Sequence, residues 1–281
     1  MHIVYRGWPL LLALLVCAVS TAQQTAVETY WCPMRGNPCR LVDYTGPGKC
    51  KDCSMELITK KSFEDYQKAN AEREANGKRV GIILYPAFEV LDVYGPIEMW
   101  GSVQDIKVLT VAQTAGAIES AQGVKTIADY SFDDCPKLDI VMVPGGMGTL
   151  KELNNPEFIS FLQRICKDAE IVTSVCSGSA LLAKAGILDG HKATSNKMYF
   201  DLAVSQSDKV EWIYEARWVD DGKVVTSSGV SAGMDMALHV ISRLYGGPEA
   251  EKIAGWTEYI WNSDASKDPF AKPRPKAAAA K

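Results

Sequence analysis

From residue 80 onward, short apolar segments alternate with longer amphipathic ones, and this alternation restricts the possible folds more than any other feature of the chain. Strands are predicted over 80–84, 107–111, 140–143, 171–175 and 224–227, and helices over 89–100, 157–168, 178–185 and 232–245. Strands that are joined by helices pair in parallel, and a parallel sheet is covered on both faces. The pattern therefore predicts an α/β domain with a mostly parallel sheet sandwiched between helices.

One cysteine lies where a predicted strand meets a predicted helix. The segment I-V-T-S-V-C-S-G-S places Cys176 directly before the helix that starts at Gly178. Ligands of parallel sheets bind beyond the carboxyl ends of the strands. Because its neighbours are small, we expect a tight turn that exposes the sulfur above the helix N-terminus, where a thiolate nucleophile is favoured. The alternative is an inert cysteine buried in the core.

Two other strand ends supply possible partners for this cysteine. A glycine-rich turn, P-G-G-M-G, follows the third strand, and we expect the N–H groups of Gly146 and Ser177 to form an oxyanion hole. A plain turn is the alternative. Glu89 and Asp92 lie three residues apart, so on a helix they share a face as possible acid or base. Asp92 is favoured because it interrupts an apolar run, where an unpaired carboxylate would be costly.

Histidine is scarce, which limits the possible catalytic dyads. Only His2, His191 and His239 are present. His239 lies in an apolar helix and is predicted to be a core residue, whereas His191 is a candidate partner of Cys176. A cysteine–histidine pair is therefore not assured, which argues against a papain-like protease.

Composition excludes several classes of protein. The 281 residues are 47% hydrophobic and 23% charged, enough for one sizeable α/β domain and a small module. A net charge of −4 provides no basic face for nucleic acid.

The N-terminus has the pattern of a secretory signal. Arg6 precedes an apolar run over 8–19 and small residues at 20–22, which predicts a signal peptide over 1–22. The run is too short for a transmembrane helix, so no membrane span is expected in the mature chain. We expect an exported protein, periplasmic or extracellular, in a compartment that permits disulfides.

Residues 30–58 form a cysteine-rich module. Cys50 and Cys53 have the C-x-x-C spacing that lets two thiolates face one ion, and Cys32 and Cys39 could complete the set. Two thioethers, Met34 and Met55, lie beside them in the sequence. Soft sulfur ligands suit a heavy-metal ion such as zinc or copper(I), and no organic cofactor is expected. Two disulfides are the alternative, since so short a module needs a covalent or metal cross-link.

The module resembles the short heavy-metal-binding domain of copper-transport ATPases and efflux proteins. Its pattern is matched by Cys32, Met34, Cys50, Cys53 and Met55. Arg35 and Ser54 stand where that family has histidine and glycine, which leaves the metal stoichiometry open. From spacing, Cys39 is the candidate replacement ligand. Residues 59–78 read as a polar helical linker, and the basic, alanine-rich residues 263–281 as a disordered, solvated tail.

Residues 79–262 resemble the superfamily of DJ-1, PfpI-type proteases and class I glutamine amidotransferase domains, a flavodoxin-like fold. The motifs that carry the resemblance are L-D-V-Y-G-P at 91–96, V-P-G-G-M-G at 143–148, T-S-V-C-S-G-S at 173–179, A-G-I-L-D-G at 185–190 and G-V-S-A-G-M-D-M-A-L at 229–238. Within the superfamily, the likeness is to isonitrile hydratases and to the sensor domains of AraC-type regulators. A homodimer is expected from the resemblance alone.

The resemblance also implies roles for individual residues. Cys176 matches the nucleophile, Asp92 the catalytic acid and Ser177 the hydroxyl residue after the cysteine, while Asn196 stands where many relatives have histidine. Without that base, amidase and protease functions are weakened. We expect a cysteine-dependent hydratase or hydrolase of a small electrophilic substrate. The alternatives are a noncatalytic ligand or metal sensor, or a heavy-metal-handling protein, and a glyoxalase-like stress protein.

Overall fold

The structure is a computed structural model that describes residues 27–34, 39 and 41–272. The predicted signal peptide, Arg35 and residues 273–281 of the predicted tail lie outside the described residues. The strands are β1 (Tyr30–Trp31), β2 (Ile58–Thr59), β3 (Lys78–Ile83), β4 (Ile106–Val111), β5 (Gly116–Glu119), β6 (Lys125–Ala128), β7 (Ile140–Val143), β8 (Ile171–Ser174), β9 (Lys192–Ala193), β10 (Glu211–Trp212), β11 (Trp218–Asp221) and β12 (Val224–Ser227). The helices are α1 (Lys60–Asn76), α2 (Val90–Gly101), α3 (Thr149–Glu152), α4 (Pro156–Asp168), α5 (Gly178–Lys184), α6 (Phe200–Val204), α7 (Ala232–Tyr245) and α8 (Gly247–Trp256).

The central sheet contains all five strands predicted from the sequence. Its order is β11-β12-β8-β7-β3-β4, and every neighbouring pair is parallel except β11 with β12. The antiparallel edge strand β11 was not predicted. It joins β12 through a tight hairpin in which Asp221 pairs with Val224, so the loop is Gly222-Lys223 and Gly222, with a φ of +75°, takes the positive φ that such a turn requires.

Helices cover the sheet on both faces. Every residue of β7, β8 and β12 is buried, although successive side chains of a strand point to opposite faces. The helices pack in two groups, α2 with α7 and α8, and α5 with α3, α4 and α6. The predicted fold class is therefore confirmed. Because β3, β7, β8 and β12 are parallel, the residues that follow them meet at one edge of the sheet.

The chain divides into two compact units, Met1–Gln67 and Lys68–Lys281. In the first unit, β1 pairs with β2 and the Trp31 ring meets the Phe63 ring edge-on at 5.2 Å. No helix among the described residues has both the length and the apolar character needed to cross a bilayer.

Residues 263–272 of the predicted tail make ordered contacts with the domain, although most of them are exposed. The Arg217 N–H donates to the Ala265 carbonyl and the Asp268 N–H to the Glu215 carbonyl, both at 2.8 Å. Asp268 is only 6% exposed. These residues stay in place because they satisfy backbone groups of the domain and bury a carboxylate against it.

Candidate functional site

Cys176 lies on a strained turn between β8 and α5, as the sequence predicts. Its φ is +56°, a conformation that residues with a Cβ rarely adopt. The Cys176 N–H donates to the Ser228 carbonyl at 3.1 Å, so the residue after β12 holds the turn. Strain of this kind persists only where surrounding contacts impose it, and it is concentrated at functional sites.

Glycines allow the strand ends to come together around this turn. A Cβ on Gly145 would lie 2.6 Å from the Ser177 nitrogen and 2.9 Å from the Cys176 Cβ. A Cβ on Gly178 would lie 2.1 Å from the Val143 carbonyl oxygen. The glycine-rich sequence is therefore required for close approach of backbone segments, and the alternative of a plain turn does not account for it.

The expectation of an exposed, readily ionised Cys176 is wrong. The residue is 6% exposed, because the ends of β7 and β12 crowd the turn. Burial raises the pKa of the Cys176 thiol well above its ordinary value, and the charge of Asp92 raises it further. Hydrogen bonds from the Ser177 N–H and the Asn196 side chain lower the pKa by less. The group near neutral pH is a protonated thiol beside a carboxyl group.

Asp92 is fully buried in the first turn of α2. Its Oδ2 accepts a hydrogen bond from the Gly145 N–H at 2.8 Å, whereas Oδ1 has no hydrogen-bond partner among the described residues. Burial raises the pKa of Asp92 well above its ordinary value of 3.8, outweighing the opposite effects of the Gly145 N–H and of a contact with Cys176. The other candidate acid, Glu89, accepts from Gln122 at 2.8 Å near the surface.

The glycine N–H predicted for the oxyanion hole has another partner. The Gly146 N–H donates to Ser177 Oγ at 3.2 Å, so it is engaged within the protein. Ser177 Oγ also lies 2.9 Å from Thr149 Oγ1, which lies 3.0 Å from the Tyr85 hydroxyl. The Ser177 hydroxyl thus belongs to a buried hydrogen-bond network, while its N–H points to the sulfur of Cys176.

Asn196 supplies a donor that sequence reasoning missed. Its Oδ1 accepts from the N–H groups of Met198 and Tyr199 at 2.9 and 3.2 Å, which assigns the other end of the amide as the NH₂ group. That NH₂ group faces Cys176 and packs so closely on Gly229 that a Cβ there would lie 2.0 Å from Nδ2. The sequence signal that could have identified Asn196 as a site residue is its position, because many relatives have histidine there.

Neither histidine is a partner of Cys176. His191 Nδ1 lies 2.9 Å from Asp221, and His239 Nε2 lies 2.7 Å from Asp220. Both aspartates precede β12 and so lie at the edge of the sheet opposite Cys176. The candidate role of His191 is therefore wrong, and His239 pairs with a carboxylate at 31% side-chain exposure instead of lying in the core.

A cavity of about 650 Å³ is lined by neighbours of Cys176, although Cys176 and Asp92 are not themselves among its lining residues. On one side is Leu91, the neighbour of Asp92, and on the other are Asn196, Ser228 and Gly229, which surround Cys176. The remaining lining residues are Lys197, Met198, Tyr214, Val230, Ser231, Asp268, Phe270 and Lys272. The volume is in the range of small-molecule sites.

The four cysteines of the N-terminal module form a second candidate site. The Sγ atoms of Cys32, Cys39, Cys50 and Cys53 all lie within 4.8 Å of one another. A tetrahedral four-thiolate zinc site places its sulfurs about 3.8 Å apart. No cysteine of the described residues is in a disulfide, and the Sγ atoms of Cys32 and Cys39 lie 3.1 Å apart. The geometry therefore suits one four-sulfur centre, and this cluster could hold a metal ion.

The cluster favours the thiolate form at Cys50 but not at every sulfur, because burial raises the pKa of Cys32 and contacts with neighbouring thiols raise the pKa of Cys39. A hydrogen bond from the Asp52 N–H lowers the pKa of Cys50 to about 6 against the opposing effect of burial. The Tyr44 hydroxyl also donates to this sulfur, at 3.8 Å. Met34 and Met55 are 43% and 41% exposed, so the structure presents both thioethers to solvent instead of burying them in the cluster.

Known proteins share both the sequence and the fold of the second unit. The chain is 32% identical over 205 residues to isonitrile hydratase from Pseudomonas putida, a match covering 71% of this chain and 84% of the hydratase. It is 28% identical over 178 residues to the transcriptional regulator GbdR of Pseudomonas aeruginosa, of which it spans about half the length (48%).

A crystal structure of a ThiJ/PfpI family protein from Pseudomonas syringae matches with a TM-score of 0.59 and 31% identity, covering 73% of this chain and 79% of that one. Residues 78–243, which include β3, β7, β8, β12 and the Cys176 turn, match the DJ-1/PfpI family. The chain thus belongs to the DJ-1/PfpI family.

Proposed function

We propose that this protein is a cysteine-dependent enzyme that adds water to a small electrophilic carbon, with isonitriles as the substrate class. The observation that carries the proposal is the buried Cys176 thiol beside the buried Asp92 carboxyl, whose Oδ1 has no partner among the described residues. The raised pKa of Asp92 favours the acid form, which can donate a proton. The similarity to isonitrile hydratase supports the substrate class.

In the first step, the Cys176 sulfur bonds to the isonitrile carbon. That carbon takes the proton held by Asp92, and the thiol proton passes to the Asp92 carboxylate, which leaves a thioimidate on Cys176. The Ser177 N–H and the Asn196 amide, which both face the sulfur, stabilise developing negative charge.

In the second step, water releases the product. Its oxygen bonds to the thioimidate carbon, one of its protons reaches the nitrogen and the other returns to sulfur as the C–S bond breaks. Asp92 transfers these protons because it lies against the thiol. The products are an N-substituted formamide and the free thiol, with one water consumed and no change of oxidation state in the protein.

The test is incubation of the purified protein with cyclohexyl isocyanide, with formamide measured by NMR. We expect formamide from the wild type and none from Cys176→Ala, because the latter lacks the attacking sulfur. Cys166→Ala is the matched control, since Cys166 is another buried thiol but lies in α4. Equal inactivity of all three proteins, at unchanged folding, would refute the hydratase proposal.

For the N-terminal module, we propose binding of a thiophilic metal ion, zinc or copper(I), by Cys32, Cys39, Cys50 and Cys53. The mutual approach of the four sulfurs supports this proposal. The ligands would be thiolates, and the ion would cross-link a module too small to bury much core.

The experiment is metal analysis of the full chain after zinc loading and desalting under reducing conditions. We expect about one zinc per chain, and a loss of most of it in Cys50→Ser, because a tetrahedral site lacking one thiolate binds far more weakly. Cys135→Ser, a half-buried cysteine outside the module, is expected to keep the metal. Equal metal content in Cys50→Ser and the wild type, or no metal in either after zinc or copper(I) loading, would count against the site.

A further inference from the structure

The segment 263–272 is built into the cavity beside Cys176. Backbone hydrogen bonds hold it along residues 215–217, as described above. Asp235 on α7 binds the residues just before this segment. Its Oδ1 accepts from the Asn262 N–H at 2.9 Å and from the Tyr259 hydroxyl at 3.0 Å.

Asp268 fixes the part of this segment that faces the cavity. One carboxylate oxygen accepts from the Ser228 hydroxyl, and the other accepts from the Phe270 N–H at 3.0 Å. Ser228 is the residue whose carbonyl oxygen holds the Cys176 N–H. The Asp268 carboxylate therefore positions Phe270 and also binds Ser228, the residue that holds the Cys176 turn.

The cavity offers apolar surface and no unpaired buried charge. The Lys197 ammonium donates to Ala216 O at 2.6 Å and Thr194 Oγ1 at 2.9 Å, and it lies 3.6 Å from Asp268. These contacts use its donors and neutralise its charge. Apolar surface comes from Leu91, Met198, Tyr214, Val230 and Phe270, and the Phe270 side chain is 65% exposed at the cavity.

We propose that residues 263–272 form a fixed wall of the substrate cavity, and that Phe270 sets the largest substrate admitted, a neutral isonitrile with a compact apolar body. The proposal rests on the proposed hydratase function for the identity of the substrate. The wall itself requires only that a molecule reaches Cys176 through this cavity.

The experiment uses two readouts on the full chain. One is the rate ratio for 1-adamantyl over isopropyl isocyanide. The other compares two alkylating reagents: it is the rate at which a bulky fluorescein-linked iodoacetamide alkylates Cys176, divided by the rate for iodoacetamide. Mass spectrometry of the peptide that contains Cys176 measures both rates. We expect Phe270→Ala to raise both ratios by about tenfold, in the range of discrimination that pocket size supplies. Phe270→Trp should lower both.

Trp256→Ala is the matched control, because Trp256 is an aromatic residue that is 81% exposed and does not line this cavity. Its ratios should equal those of the wild type. If the alkylation ratio shifts in Phe270→Ala while no protein hydrates either isonitrile, the wall is supported and the hydratase function fails. If Phe270→Ala and Phe270→Trp both have the wild-type alkylation ratio, the proposed wall is overturned.

Discussion

At the scale of single residues, the site depends on two groups that burial pushes toward their neutral forms. Cys176 and Asp92 are both buried, and burial is the main cause that raises the pKa of each. The charge of Asp92 raises the pKa of Cys176 further, whereas the contact with Cys176 lowers the pKa of Asp92 by less than burial raises it. A thiol beside a carboxylic acid suits a reaction in which a proton must reach carbon as sulfur attacks.

This coupling predicts the effect of Asp92→Asn on thiol reactivity. The Asp92 charge raises the pKa of Cys176, so removing it should lower the pH midpoint for alkylation of Cys176 by iodoacetamide. The thiol reacts faster as pH rises because the thiolate is the nucleophile. Peptide-level alkylation rates between pH 6 and 11 measure the midpoint.

The control for this prediction is Asp208→Asn, which removes an exposed carboxylate elsewhere in the chain. It should leave the midpoint unchanged. A midpoint in Asp92→Asn that equals or exceeds that of the wild type would contradict the coupling.

The same two residues show how far sequence reasoning reaches. Asp92 could be chosen because it interrupts an apolar run, and the structure does bury it. The local pattern could not show whether the Gly146 N–H is free to form an oxyanion hole, because this N–H donates to Ser177, 31 positions along the chain. A hydrogen bond between distant residues leaves no periodic trace in the sequence.

At the scale of elements, the parallel strands were predictable and the antiparallel edge strand was missed. The apolar run Ile-Val-Met-Val of β7 is typical of a strand buried on both faces, and β8 begins with the β-branched pair Ile171-Val172. The edge strand β11 mixes buried, intermediate and exposed positions, so its clearest signal is the Asp221-Gly222 turn. The segment 263–272 has no regular structure, and its polar composition resembles that of a tail.

Asp268 makes that segment part of the domain, so Asp268→Ala should destabilise the protein. It would leave the Lys197 and Arg217 side chains, each only 7% exposed, without one of their counter-charges. Removing one partner of a buried ion pair costs about 3–5 kcal/mol, and we expect the lower end because Arg217 keeps Asp235 at 2.6 Å. Urea unfolding at pH 7 measures the change.

Asp264→Ala provides the comparison within the same segment. Asp264 is exposed; its carboxylate accepts from the Ser266 N–H and hydroxyl, and its N–H donates to Asn262 Oδ1. It should change the free energy of unfolding by less than about 0.5 kcal/mol. Similar stabilities for the two variants would show that the Asp268 contacts contribute little.

At the scale of the whole molecule, one edge of the sheet collects functional groups from distant parts of the chain. Asp92 follows β3, Gly145 follows β7, Cys176 follows β8 and Ser228 follows β12, which brings together residues more than 130 positions apart because the strands are parallel. The cysteine cluster lies in the other compact unit. The match to the DJ-1/PfpI family covers the residues at this edge of the sheet and does not include the cysteine cluster.

The sequence by itself determined the features that depend on local pattern. These are the strands and helices of the α/β domain, the turn at Cys176, the burial of Asp92 and the C-x-x-C spacing of the module, because periodicity, small residues and short spacings act over a few positions. Only the tertiary structure decided the direction in which the pKa of Cys176 shifts and the hydrogen-bond partner of the Gly146 N–H. It also decided the orientation of the Asn196 amide and the position of Asp268 in the cavity wall. Each of these depends on solvent exclusion or on hydrogen bonds between distant segments, which exist only once the chain has packed.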